Sequence, residues 1–185
     1  MSGRRGTFGP VRVARRIRLR WVIVLYCAAA QAYVWHEFLT HTPGTSPAPA
    51  EIVVPALAEI VTALLLAAWV IVKNRSIAWA VASTFNAIFL LVGQFSIWYL
   101  SYGGGENWSP RLTRLDGLAL TLGTLTTAGA PGIHPRTDLA RELITIQLVV
   151  DILAAIVLFG LFVGRLASRL GAAEAAQASR AADPV

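Results

Sequence analysis

Two carboxylates stand inside long apolar runs, and they are the residues best placed to do chemistry. Asp151 falls in the run from Leu143 to Val163, about 12 Å from its start at 1.5 Å per residue, and Glu59 lies at a depth of about 10 Å in the run from Ile52 to Val72. An ionised carboxylate that deep in hydrocarbon is costly unless it meets water or a partner, so each must face something polar. Asp151 reads two ways. It lines an aqueous cavity where several copies would concentrate cations, or it accepts a hydrogen bond from Asn86 or Gln94 of the preceding run. Glu59, between Ala58 and Ile60, reads first as a residue that pairs with a neighbour or reaches toward the surface, and only second as part of a pathway.

The other reactive groups are sparse. His36, His41 and His134 match no zinc-binding spacing, and His134, beside a glycine- and proline-rich stretch, is the better candidate for modulation by pH. Cys27 is the single cysteine, so no intramolecular disulfide or cysteine metal site exists. No nucleophile stands with a base, and there is no nucleotide loop or histidine–carboxylate constellation; the expectation is a protein that is not an enzyme and carries no cofactor. The carboxylates Glu106, Asp116, Asp138 and Glu142 share one predicted surface with Arg111, Arg114, Arg136 and Arg141, which offset their attraction for cations.

The elements that must position these groups are membrane spans. Hydrophobic residues make up 56% of the chain and charged ones 14%, with the apolar residues in blocks long enough to cross a bilayer. The formal charge of +6 is not a nucleic-acid signature. Much of the basic charge (Arg4, Arg5, Arg12, Arg15, Arg16, Arg18 and Arg20) precedes the first apolar block, where it anchors the end of a span. Spans are predicted at Trp21 to Phe38, Ile52 to Val72, Ile77 to Tyr102 and Leu143 to Val163, with tryptophans 21, 35, 69, 79 and 98 near their ends among the headgroups. A fifth apolar stretch, Leu115 to Thr127, is too short to cross and reads as a re-entrant helix between the third and fourth spans. The fold class is therefore an all-α membrane protein, four transmembrane helices plus one re-entrant helix. The arginine distribution puts both termini in the cytoplasm of a multi-pass cell-membrane protein, leaving Arg111, Arg114, Arg136 and Arg141 outside.

The basic start, the apolar run and Ala30-Gln31-Ala32 imitate a secretory signal, but Trp35, His36 and Glu37 read as the outer end of a retained span. The stretch His41 to Ala50 (HTPGTSPAPA) is expected to be a flexible external connection, and KNRS at Lys73 to Ser76 a tight turn between antiparallel spans. The alanine-rich tail after Leu170 reads as a frayed helical extension or as disorder. None of the four spans contains an arginine, which argues against a voltage sensor.

Between the third and fourth spans runs LTRLDGLALTLGTLTTAGAPGI, Leu112 to Ile133. It resembles the pore loop of potassium channels, in particular small bacterial channel proteins with four spans. The resemblance covers about residues 77 to 170 and implies an outer helix, a pore helix from near Asp116 to Thr126, a filter strand of the type TVGYGD or TVGFGD, and an inner helix. Thr127 takes the place of the filter threonine. Aligned without gaps, the filter becomes Thr127, Ala128, Gly129, Ala130, Pro131 and Gly132, preceded by Thr126. In such a family four copies of one loop ring a dehydrated cation with backbone carbonyls, which implies a homotetramer in the lipid bilayer passing K+ or Na+. Ala130 replaces the aromatic and Pro131 the second glycine; proline holds φ near −65°, so potassium selectivity does not carry over, and Gly132 is left to turn the chain one residue later.

Under this resemblance residues 1–20 are a basic cytoplasmic start, 21–76 a two-span hairpin, 77–170 the pore unit and 171–185 a cytoplasmic tail. Asp151, Gly160 and Gly164 are its inner-helix residues. The two glycines either permit bending during gating or let helices approach closely, the second being the commoner role. The alternative is a non-conducting relative that serves as an assembly or regulatory partner.

Overall fold

The computed structural model describes residues 10–45, 49–74 and 76–182. In chain order these form α1 (Pro10–Thr40), α2 (Pro49–Lys73), α3 (Ile77–Ser101), β1 (Trp108–Ser109), α4 (Arg114–Leu125), β2 (His134–Pro135) and α5 (Asp138–Ala182). The fold is helical apart from one short antiparallel pair, in which Trp108 faces Pro135 and Ser109 faces His134. α1, α2, α3 and α5 are each long and apolar enough to cross a membrane. α4, at 12 residues and about 18 Å, is not.

The four long helices alternate in direction. The α1–α2 linker and the segments around α4 gather at one end, the loop end, and the α2–α3 turn at the other, the hairpin end. At the hairpin end α2 stops at Lys73, and Asn74 accepts a hydrogen bond from the Ser76 amide at 3.3 Å, turning the chain back within a few residues. Arg75 lies outside the described residues.

The centre of the bundle is α3. From Leu90 to Ser101 every residue is buried, because this half of the helix is apolar nearly all round and has neighbours on every side. α1, α2, α4 and α5 all pack against it, whereas α1 scarcely touches α2. The first two spans are thus not a packed pair; each uses α3 as its partner. The main core joins Ala56 and Ile60 of α2, Phe95, Trp98 and Tyr99 of α3, Leu120 of α4, and Leu143 and Ala154 of α5. Within it Phe95 and Trp98 stack edge to face at 5.0 Å, and Tyr99 and Trp108 at 5.6 Å, contacts worth about 0.5–1.5 kcal/mol each beyond burial. Trp98, expected among headgroups, is instead fully buried, since four helices converge on the end of α3 that carries it.

Polar pairs tie the spans at depth, where burial of apolar surface no longer separates helix from lipid. Gln31 Nε2 donates to the Asn86 carbonyl at 2.9 Å, locking α1 to α3, and Gln94 Nε2 donates to Glu59, locking α2 to α3. Glu59 therefore has the partner its depth demanded.

α5 is longer than its predicted span. It runs 45 residues, about 66 Å, so the alanine-rich tail is helical as far as Ala182. Its buried face is the row Ala140, Leu143, Gln147, Asp151, Ala154 and Leu158, at spacings of three or four.

Candidate functional site: the loop after α4

Thr113 and Asp116 start α4. The Thr113 hydroxyl accepts from the Asp116 amide at 3.3 Å and the Asp116 carboxylate accepts from the Thr113 amide at 2.9 Å, a reciprocal cap that also sets a negative charge at the helix's positive end. α4 then runs antiparallel to the last third of α3. Gly117 lies against Leu100, Ser96 Oγ donates to Thr121 Oγ1 at 3.1 Å, and Leu125 shares a cleft with Leu91. The chain thus follows α3 for about 14 Å, less than half its length, and turns back. The return is fastened to the entry by the β1–β2 pair, by the Arg136 amide to the Asn107 carbonyl at 2.8 Å, and by Thr137 Oγ1 to Asn107 Oδ1 at 2.9 Å.

The seven candidate loop residues, Thr126, Thr127, Ala128, Gly129, Ala130, Pro131 and Gly132, form one segment at the tip of this excursion, and all but the half-buried Ala130 are exposed. Thr127, Gly129 and Gly132 have φ of +58°, +71° and +82°. Thr127 is the one non-glycine residue with positive φ among the described residues, a conformation that disfavours side chains branched at Cβ and marks a held backbone. The Ile133 amide donates to the Ala130 carbonyl at 3.2 Å around Pro131 and Gly132, the Pro-Gly pattern of a type II turn, in which the glycine supplies the positive φ that proline cannot. The turn expected at Gly132 is present.

Gly123 decides how close the loop lies to α4. The Gly129 amide donates to the Gly123 carbonyl at 2.9 Å, and the Gly129 carbonyl oxygen stands where a Cβ on residue 123 would go. The Gly129 carbonyl therefore faces its own helix. The Thr127 and Ala128 carbonyls accept no hydrogen bond among the described residues. The hydroxyl protons are committed, Thr126 Oγ1 to the Leu122 carbonyl at 2.8 Å and Thr127 Oγ1 to the Thr126 carbonyl at 2.6 Å, which leaves both hydroxyl oxygens as acceptors.

Behind α4 a polar ladder joins three helices. Gln147 Nε2 donates to the Thr121 carbonyl at 2.9 Å and to Asp151 Oδ2 at 3.0 Å. The partner of Asp151 is thus Gln147, one turn earlier on its own helix, rather than Asn86 or Gln94, which are engaged with Gln31 and Glu59. Asp151 sits on the face of α5 turned toward α3 and α4, at the head of an apolar cleft of about 500 Å³ bounded by Ile88, Leu125 and Leu158. Gly160 and Gly164 are remote from the loop, and a Cβ at either would meet open space, so within the chain neither serves close helix packing.

The linker from α1 is held down at the loop end. Arg114 Nη2 donates to the His41 carbonyl at 3.1 Å, Arg111 Nη2 to the Pro43 carbonyl at 3.0 Å, and the Gly44 amide to the Leu100 carbonyl at 2.8 Å. His41 places Nδ1 3.2 Å from Glu37 Oε1 and Nε2 2.9 Å from Ser101 Oγ. The connection expected to be flexible is pinned from His41 to Gly44; residues 46–48 lie outside the described residues. His134 is exposed in β2, and among the described residues no three histidine, cysteine or carboxylate side chains group as metal ligands.

Gly123, Gln147, Arg111 and Arg114 are the residues that sequence reasoning passed over as builders of this site. Two of them left a signal: a glycine in mid-helix costs about 1 kcal/mol against alanine and so points to a close approach, and Gln147 stands four residues before Asp151, the spacing of facing side chains. No protein-family model, no curated protein and no solved structure matches this chain significantly.

Proposed function

We propose that the chain is one subunit of a homotetrameric membrane channel for monovalent cations, with Thr126 to Gly132 as its narrowest part. The observation that carries this reading is a helix too short to span, followed by a returning loop with three positive φ angles, set between two spanning helices. Irregular backbone at that depth is tolerated where it borders protein or water rather than lipid. α4 directs its C-terminal, partially negative end at the loop, which favours a cation there.

One chain offers four oxygens: the Thr126 and Thr127 hydroxyls and the Thr127 and Ala128 carbonyls. Four chains close rings of them around an axis. Leu115, Ala119 and Leu122 lie exposed on one face of α4 and call for a neighbouring copy. With Gly129 turned inward and Ala130 tied into its turn, the rings are fewer than in a TVGYG filter, and discrimination between K+ and Na+ is expected to be weak, within about ten-fold.

The test is reconstitution into liposomes and measurement of K+ and Na+ flux against a large organic cation. Flux of both small ions that vanishes on Gly123→Ala supports the channel. The inward Gly129 carbonyl favours a second reading, a non-conducting partner protein, and for that reading Pro131→Gly with Ala130→Tyr gains a flux the natural chain lacks. A folded wild-type protein that passes no ions overturns the first reading.

A further inference from the structure

α5 has two faces. One is the buried row from Ala140 to Leu158. On the opposite side, 44% to 71% exposed, stand Val149, Ile156, Val163 and Leu170, seven residues apart, interleaved with Ile152, Phe159 and Leu166 three residues after each of the first three. At 100° per residue these positions form one stripe centred about 140° around the helix from the buried row.

Two observations separate this stripe from an ordinary lipid-facing surface. The first is where it ends. Arg165 Nη2 donates to the Asn74 carbonyl at 2.9 Å, which fixes the hairpin end of α2 at the level of residue 165. Leu166 and Leu170 lie beyond that level, on a stretch where α5 projects about 25 Å past its neighbours, and the residues around them are Ala167, Ser168, Arg169, Gly171 and Ala172. The broad apolar surface of the span narrows there to a stripe one side chain wide. A strict three-and-four stripe of that width is the seam of a coiled coil, and a lipid-facing surface has no need of the period.

The second observation is charge. With the seam at positions a and d of a heptad, Arg169 falls at g and Glu174 at the following e, five residues on. That is the spacing at which g of one helix meets e of a parallel partner in register. An antiparallel arrangement matches g with g and e with e, arginine with arginine and glutamate with glutamate. The stripe closes after Leu170, since the next a position is the polar Gln177.

We infer that this stripe is a self-association seam, along which α5 helices from copies of this chain lie parallel and in register from Val149 to Leu170. The inference deepens the homo-oligomer of the proposed function and rests on that part of the reading, while requiring neither the loop nor conduction. Its partner is a second copy of this chain, because only an identical helix repeats both the seam and the complementary charges at the same height.

Oxidative crosslinking of the full-length protein in membranes tests it. In a Cys27→Ser background, single cysteines are placed on the seam (Leu166→Cys, Leu170→Cys) and off it (Ser168→Cys, Ala172→Cys). Dimer formation on the seam is expected to be about ten-fold faster than off it. Arg169→Glu or Glu174→Arg slows crosslinking at Leu166→Cys, and the combined swap restores it. Equal rates at all four positions, or no rescue by the swap, overturn the seam. Flux is read on the same preparations. Seam-specific crosslinking in a protein that passes no ions overturns the pore and upholds the seam; flux with uniform crosslinking does the reverse.

Discussion

Gln147→Leu removes the middle rung of the polar ladder with little change in volume. Two hydrogen bonds are lost, one to the Thr121 carbonyl at 2.9 Å and one to Asp151 Oδ2 at 3.0 Å. Side-chain hydrogen bonds between membrane helices average about 0.6 kcal/mol, and one to an ionised group is worth roughly 1.5–3 kcal/mol, for a gross loss of about 2–4 kcal/mol. Against this, Gln147 Oε1 is buried without a partner, and deleting it returns about 1 kcal/mol. The expected net destabilisation is about 1–3 kcal/mol.

The Asp151 share of that loss is separable. In an Asp151→Leu background the same substitution costs only the Thr121 bond, so the two changes are non-additive by about 1 kcal/mol or more. Reversible unfolding in mixed micelles, followed by tryptophan fluorescence, measures all four corners of the cycle. Additivity within about 0.3–0.5 kcal/mol would show that the two side chains are not coupled and would refute the ladder.

Gly123→Ala is expected to destabilise by about 1–3 kcal/mol, because its Cβ displaces the Gly129 carbonyl, whereas Gly160→Ala meets open space within the chain and is neutral or stabilising by a fraction of a kcal/mol; the same unfolding assay compares them. Gln94→Leu strips Glu59 of its amide donor and is expected to cost more than Glu59→Gln, which removes the charge and keeps an amide for Gln94 to bond, with a difference of about 1 kcal/mol. Equal costs in that pair would mean that Glu59 is solvated from the adjoining cavity of about 260 Å³ rather than held by Gln94.

Much of the backbone was legible in the sequence because membrane spans announce themselves by length. Three of the four predicted spans lie inside helices longer than themselves, and the third ends one residue before Tyr102. The apolar stretch Leu115 to Thr127, too short to cross a bilayer, is likewise a short helix, which starts one residue before Leu115 and ends two before Thr127. Helix rotation was not legible. Asp151 had candidate partners on the preceding span, and its true one lay on its own helix at the i−4 position. Nor could the order of spans reveal that α1 and α2 both pack on α3, or that α2, α4 and α5 would share one core with Trp98. The path of the loop depended on Gly123, whose role appears only when Gly129 returns to meet it.

The α1–α2 linker is held at its near end by its own main chain. His41 and Pro43 contribute carbonyls, gripped by the side chains of Arg114, the first residue of α4, and of Arg111 before it, while the Gly44 amide donates to the Leu100 carbonyl. Among the described linker residues the tether therefore reads few side chains: His41, the Thr45 hydroxyl 3.3 Å from His41 Nε2, and the glycine with φ of +80°. Loss of either arginine cannot be compensated from the linker side, because a carbonyl has no substitute to offer. Residues 111 and 114 thus hold the near end of the linker by its main chain, a grip that does not read the side chain at position 42.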